Sequence, residues 1–158
     1  MTPIVLDTNV FVAALRSEGG ASRVVLRRAL QGRYQPLFGN ALLLEYQDLL
    51  GRPVWGEATN SAERLEVLAA LASQGRWVRV YYGWRPNLPD DTAERLKALA
   101  RSRGLSMNKL VEELSAQALS AWDTENHFRA LAATGDVQRA LAVLDRLDAD
   151  DRREPQHG

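Results

Sequence analysis

The first half of the chain alternates short apolar runs with longer stretches in which apolar residues recur at helical spacing. Residues 3–6 form one such run, which ends at Asp7, and this pattern is typical of a buried strand followed by a helix. Further strands are predicted over 34–38 and 77–82, with helices between them. This order of elements predicts an α/β fold, in which helices cover a parallel sheet.

The pattern changes after two closely spaced prolines, Pro86 and Pro89, because every later segment has helical spacing. Helices are predicted after Asp90 or Asp91 and after Ser106, each of which can serve as an N-cap. Two shorter helical stretches follow, over 124–133 and 137–147. The chain is therefore divided into an α/β part (1–88), an all-helical module (89–147) and a flexible charged tail (148–158).

The amino-acid composition excludes several classes of functional site. The chain has 158 residues, of which 46% are hydrophobic and 25% charged, as in globular proteins with a sizeable core. Cysteine is absent, which excludes disulfides, thiolate metal sites and a cysteine nucleophile. No apolar run approaches the roughly 20 residues of a membrane span, and no signal peptide is visible. We expect a cytoplasmic protein without a membrane partner.

Two carboxylates of the first part are candidate metal ligands. Asp7 follows the first predicted strand, where open α/β folds place ligand sites, although it could equally be a helix N-cap. Glu45 lies among leucines, and its carboxylate must reach solvent or a cation because isolated burial is costly. Two such carboxylates in one crevice would suit Mg²⁺ or Mn²⁺, which activate water and neutralise charge on a phosphate.

The motifs Ile4-Val5-Leu6-Asp7-Thr8-Asn9-Val10, Leu43-Leu44-Glu45-Tyr46 and Trp84-Arg85-Pro86-Asn87-Leu88 closely resemble those of the PIN-domain toxins of bacterial toxin–antitoxin pairs. The resemblance covers about residues 3–89. It implies a Mg²⁺-dependent endoribonuclease on a parallel sheet, with RNA as its substrate. Asp7 matches the first metal-site carboxylate of that family and Glu45 the second, and Thr8 or Asn9 would be supporting polar residues.

The family pattern is incomplete after this point. The family places a third aspartate at the start of the next helix, where this chain has Ala93, with Asp90 and Asp91 nearby but offset. Neither the later strand nor the fourth acidic residue is found. We therefore predict a shortened PIN-like domain, whose catalytic set is Asp7, Glu45 and Asp90 or Asp91. The loss of the later positions gives two alternatives, a retained or an impaired nuclease activity.

Residues 84–122 resemble ribbon-helix-helix antitoxins, in which two chains pair their strands and interlock their helices. This resemblance implies a homodimer that contacts operator DNA. The candidate nucleic-acid contacts are Arg85, Asn87, Arg101, Arg103 and Ser106. Between positions 92 and 110 five basic residues accompany only one acidic residue, Glu94, a pattern that indicates either a nucleic-acid footprint or an ordinary solvated helix face.

Three functions follow from these two resemblances. The chain could be a Mg²⁺-dependent endoribonuclease, or a dimeric, DNA-binding regulator of the antitoxin type. It could also be a catalytically silent fusion, in which the helical part covers the acidic crevice. A cognate toxin or antitoxin would be a further partner.

Overall fold

A computed structural model describes residues 1–16, 20–79 and 92–153. Within these ranges the chain forms three short strands and seven helices. The strands are β1 (Thr2–Ile4), β2 (Tyr34–Phe38) and β3 (Arg76–Trp77). The helices are α1 (Thr8–Arg16), α2 (Ala21–Leu30), α3 (Asn40–Leu50), α4 (Ser61–Ser73), α5 (Thr92–Ser102), α6 (Met107–Thr134) and α7 (Val137–Asp151). The predicted α/β order of the first part is confirmed.

The sheet is parallel, with strand order β1-β2-β3. Thr2 pairs with Tyr34, and Phe38 pairs with Trp77. Each crossover contains two helices. Parallel strands need such a long connection because each strand ends at the edge of the sheet opposite to the one where the next strand begins. The carboxyl ends of all three strands consequently meet at one edge. The third strand is shorter than the predicted 77–82, and residues 80–82 lie outside the described ranges.

One hydrophobic core joins the two parts of the chain. Phe11, Leu26 and Leu68 from the first part are packed in the same buried cluster as Phe128 and Leu144 from the second. Both α6 and α7 pack on α4, and α7 also packs on α2. The boundary predicted near residue 88 lies in undescribed residues, but the last two helices are not separate from the α/β core.

Helix α6 is one continuous helix of 28 residues, so the prediction of a break between Trp122 and a separate helix over 124–133 is wrong. No proline or glycine interrupts this stretch, and the buried residues Thr124 and Phe128 hold it against the core. It ends at Gly135, where an added Cβ atom would overlap the backbone of Ala69 in α4. Glycine therefore allows the chain to turn into α7 in close contact with α4.

Helix α7 continues beyond its predicted end. It runs to Asp151, and Asp148 and Asp151 both form ion pairs with the buried Arg23 of α2. Residues 148–151 therefore belong to the folded structure rather than to a flexible tail, because a buried cation holds them; residues 154–158 lie outside the described ranges. Across the described ranges, no helix combines the length and apolar character needed to cross a membrane.

Candidate functional site

Asp7 is fixed at the carboxyl end of β1, where the chain enters α1. One carboxylate oxygen, Oδ1, accepts a hydrogen bond of 2.8 Å from the backbone N–H of Asn9. The carbonyl of Asp7 accepts bonds from the N–H groups of Val10 and Phe11 in the first turn of the helix. The side chain nevertheless remains exposed. Asp7 thus stabilises the start of α1 as an N-cap residue does. It also presents its carboxylate to solvent.

Glu45 of α3 is joined to the same place by the residue next to Asp7. The hydroxyl of Thr8 donates a hydrogen bond of 2.5 Å to Oε1 of Glu45, across 37 positions of sequence. Thr8 is buried, with 5% of its surface exposed, whereas Glu45 is exposed. The end of β1 and the middle of α3 therefore meet at this point.

Tyr46, the neighbour of Glu45, makes a contact with the segment before Asp7 that the sequence did not reveal. It is completely buried, and its hydroxyl donates a bond of 2.9 Å to the carbonyl of Leu6. Burial first, and then the negative charges of Asp7 and Glu45, raise the pKa of Tyr46 above its ordinary value. Both carboxylates therefore lie near the Tyr46 hydroxyl. The sequence did contain a signal for this contact: a tyrosine among leucines is expected to be buried, and a buried hydroxyl needs a hydrogen-bond partner.

Each of these two carboxylates keeps one oxygen available for another ligand. Among the described residues, nothing donates to Oδ2 of Asp7 or Oε2 of Glu45, and neither side chain forms an ion pair. Mg²⁺ prefers oxygen ligands, keeps several waters and is often bound by only one or two carboxylates, so Asp7 and Glu45 are ligands of the chemical type that such an ion takes. The described ranges contain no group of three or more histidine, cysteine, aspartate or glutamate side chains that could hold a metal.

A groove of about 1210 Å³ runs between the carboxyl edge of the sheet and α6. Its walls include Val5 after β1 and Ala41 in α3. Asp7 follows Val5 by two residues, and Glu45 lies about one helical turn after Ala41, so both acidic residues are close in sequence to residues of the groove wall. Oδ1 of Asn40, which also lines it, is buried and has no hydrogen-bond donor within the described residues.

The other predicted site residues are not brought to this point by the described structure. Arg85, Asn87, Asp90 and Asp91 lie outside the described ranges. Arg101 and Arg103 are exposed at and just beyond the end of α5. Ser106 is the N-cap of α6, as predicted, and its hydroxyl accepts the N–H of Lys109. That N–H group is consequently engaged within the helix, which leaves fewer groups for a phosphate than the sequence suggested.

Comparison with known proteins supports the interpretation of this geometry. Residues 3–107 match the PIN domain family, a match that extends through α5. No curated protein and no solved structure matches the sequence. PIN domains are nuclease-like, of the type found in toxin–antitoxin pairs, and generally depend on divalent metal ions. Because the match covers well over half of the sequence, the chain belongs to the PIN domain family.

Proposed function

We propose that the chain is a divalent-metal-dependent endoribonuclease whose ion is held by Asp7 and Glu45. The observation that carries the proposal is the hydrogen bond from Thr8 to Glu45, which brings Glu45 beside the residue that follows Asp7, although the two acidic residues are far apart in the sequence. Both residues are exposed, each has a carboxylate oxygen to which no described residue donates, and Val5 and Ala41, close to them in sequence, line a groove. Membership of a nuclease-like family supports the same chemistry.

The protein groups around the proposed ion have distinct tasks. Asp7 and Glu45 would supply the oxygen ligands, and a bound Mg²⁺ would lower the pKa of its water and neutralise charge on the phosphate. The Thr8 hydroxyl orients Glu45, and the Asn9 amide orients Asp7. Tyr46 anchors the carbonyl of Leu6, and so fixes the backbone immediately before Asp7. Such supporting hydrogen bonds keep the ligands in a geometry that the ion can use.

The proposed site is completed by Asp90 or Asp91, a role inferred from sequence position alone. With Ala93 at the family's third acidic position, the pair of Asp7 and Glu45 supplies most of the binding. Two carboxylates hold Mg²⁺ more weakly than a cluster of four, since affinity depends on the number and charge of the ligands. We therefore infer a reduced affinity for the metal, and activity that requires a raised concentration of Mg²⁺.

We expect cleavage of single-stranded RNA that depends on Mg²⁺ or Mn²⁺ and stops when EDTA is added. The reason is that the two carboxylates cannot activate water without the ion. Cleavage of a fluorescent oligoribonucleotide, followed over increasing Mg²⁺ and again after EDTA and excess Mn²⁺, tests this dependence. Ca²⁺, which prefers longer and more numerous ligand bonds, is the control ion. Cleavage that persists in EDTA would contradict the proposal.

A second candidate function, a DNA-binding regulator of the antitoxin type, is favoured by the basic residues around α5. Arg95, Lys97, Arg101 and Arg103 are all exposed. If they contact DNA phosphates, Arg101→Ala weakens binding to every duplex and lowers the slope of log affinity against log salt by about one. Binding to a duplex should be measured over roughly 50–200 mM salt, because affinity that depends on phosphate contacts falls steeply over this range. Arg28→Ala, on the exposed side of α2, is the control, and an equal effect of both variants would contradict this function.

A cognate toxin or antitoxin is also proposed as a partner, on the resemblance of the two parts alone. The homodimer that the ribbon-helix-helix resemblance implies stays a prediction.

A further inference from the structure

The groove between the sheet edge and α6 contains one amide that lacks a hydrogen-bond partner. Asn40, the first residue of α3, lines the groove. Its Oδ1 atom is buried, and its side chain forms no hydrogen bond with any residue that the structure describes. A buried polar group without a partner is costly and rare, and therefore calls for an explanation. A ligand that forms hydrogen bonds with the Asn40 amide would provide one.

The Asn40 side chain can turn both its oxygen and its nitrogen towards a ligand. The terminal torsion of asparagine is a soft one, and no hydrogen bond from the described residues opposes its rotation. The amide group has an acceptor oxygen next to an NH₂ donor. Nucleobases carry donors and acceptors side by side on their edges, and asparagine pairs with adenine through the exocyclic amino group and the neighbouring ring nitrogen. The chemistry of Asn40 thus matches an unpaired base.

The indole of Trp122 provides an exposed aromatic surface on the α6 side of the groove. Trp122 keeps 63% of its surface exposed and forms no ring contact with the described residues. Trp77, which also lines the groove, is instead packed on Phe128, with 5.2 Å between the ring centroids. The core therefore holds Trp77, whereas the Trp122 ring is available to a ligand. Unpaired bases bind to proteins by stacking on exposed aromatic side chains.

The charged groups at the groove favour a nucleotide over an apolar peptide. Glu125 of α6 lines the groove and accepts hydrogen bonds of 2.9 Å from Arg79 and 2.6 Å from Arg129. Two guanidinium groups share one carboxylate, so this cluster has an excess positive charge. The side chains of Arg79 and Arg129 are 60% and 67% exposed, and exposed positive charge attracts phosphate. An apolar peptide would leave both this charge and the Asn40 amide unused.

We propose that the groove binds one unpaired nucleotide of single-stranded RNA, whose base stacks on Trp122 and forms hydrogen bonds with Asn40. The groove volume of about 1210 Å³ is ample for a nucleotide, since small-ligand pockets enclose roughly 300–1,000 Å³. Val5 and Val78 of the groove wall directly follow β1 and β3, and open α/β folds bind ligands at this edge. This role rests on the proposed nuclease function, because the bound nucleotide belongs to the strand that is cleaved.

Binding of a fluorescent oligoadenylate to the full chain in EDTA, followed by anisotropy, tests the stacking contact without cleavage. We expect Trp122→Ala to weaken this binding by about 5-fold or more, as loss of base stacking does, and Trp122→Phe to retain most of the affinity. Binding of a strand with abasic residues should be unchanged in both variants. Leu119→Ala is the matched control, because Leu119 on α6 is 62% exposed but does not line the groove. Equal losses in Trp122→Ala and Leu119→Ala would overturn the proposal.

The same titration tests the contact with the base edge. Asn40→Ala should weaken oligoadenylate binding by about 5-fold or more, as loss of a bidentate base contact does, without changing the affinity for the abasic strand. Asn108→Ala, in the first turn of α6, is the control, because Asn108 is exposed and does not line the groove. Equal affinities of the two asparagine variants for oligoadenylate would overturn this contact.

Hydrogen exchange identifies the occupant of the groove. We expect oligoadenylate to slow the exchange of amides at 37–42 in the groove wall. Protection of this segment by a leucine-rich amphipathic peptide, but not by oligoadenylate, would overturn the proposal in favour of a protein partner. If the base contacts are found but no RNA is cleaved at any Mg²⁺ concentration, the nuclease proposal fails and the nucleotide site stands. If RNA is cleaved but oligoadenylate and the abasic strand bind equally, the nucleotide site is overturned.

Discussion

We expect the Asp7→Asn variant to lose at least about 100-fold of the metal-dependent cleavage rate, because even residues that only support a metal ligand cost 10–100-fold when changed. Asparagine keeps the oxygen that accepts the Asn9 N–H, so the start of α1 stays intact. It removes the negative charge, which is what a divalent ion requires of this ligand. The effect should therefore appear in metal affinity and cleavage rate, with the free energy of unfolding nearly unchanged.

A neutral variant elsewhere on the same helix as Glu45 separates this effect from a change in surface charge. Asp48 lies three residues after Glu45 and forms an exposed ion pair with Arg52. Asp48→Asn also removes one negative charge, but the carboxylate has no connection with Thr8 or Tyr46. We expect full activity from Asp48→Asn and a loss from Glu45→Gln similar to that of Asp7→Asn. Undiminished cleavage by Asp7→Asn would identify a contaminating nuclease.

The Arg23→Met variant is expected to lose about 3 kcal/mol of unfolding free energy, at the lower end of values for one partner of a buried pair. Arg23 is 3% exposed, donates 2.9 Å bonds to the carbonyl of Ala14 and to Asp148, and also pairs with Asp151. Methionine keeps the unbranched apolar stem of arginine but has no guanidinium group, so all three acceptors lose a donor. Both carboxylates are partly exposed, which limits the loss. Urea unfolding followed by circular dichroism measures it.

Arg28→Met on the same helix is the control, because Arg28 is exposed and surface changes of this kind stay within about 0.5 kcal/mol. Equal stabilities of the two variants would show that α7 is held by apolar packing alone.

Burial raises the pKa of Asp148, but hydrogen bonds from Arg23 and Arg27 outweigh it and lower the pKa below its usual value. The stabilisation from Asp148 is therefore present above its unfolded pKa of about 4 and is lost as pH falls through the lower folded value.

The spacing of hydrophobic residues was sufficient to predict most strands and helices of the α/β part. The short run before Asp7 gave a strand because four apolar residues are too few for a core helix. The helical spacing of leucines around Glu45 predicts a helix between the second and third strands, and α3 (Asn40–Leu50) confirms it. Since the carboxyl ends of parallel strands share one sheet edge, the approximate position of Asp7 also followed from sequence.

Long-range packing could not be predicted in this way. The attachment of α7 depends on Arg23 and Asp148, which are 125 positions apart. The sequence near Asp148 does not identify Arg23 as its partner, so the charged segment was predicted to be a flexible tail. The bond from Tyr46 to Leu6 spans 40 positions, and nothing local to Tyr46 identifies its partner. Helical periodicity likewise marked the apolar residues of α6 without distinguishing Phe128, which enters the core, from Trp122, which is 63% exposed.

The most direct test of the shared ion is a crystal structure of the full chain soaked in Mn²⁺, with the ion located by its anomalous scattering. We predict one ion with carboxylate oxygens of both Asp7 and Glu45 as ligands, at roughly 2.1–2.2 Å by comparison with Mg²⁺, and no such ion in Asp7→Asn. An ion bound away from this pair, or carboxylates too far apart to bind the same ion, would contradict the account.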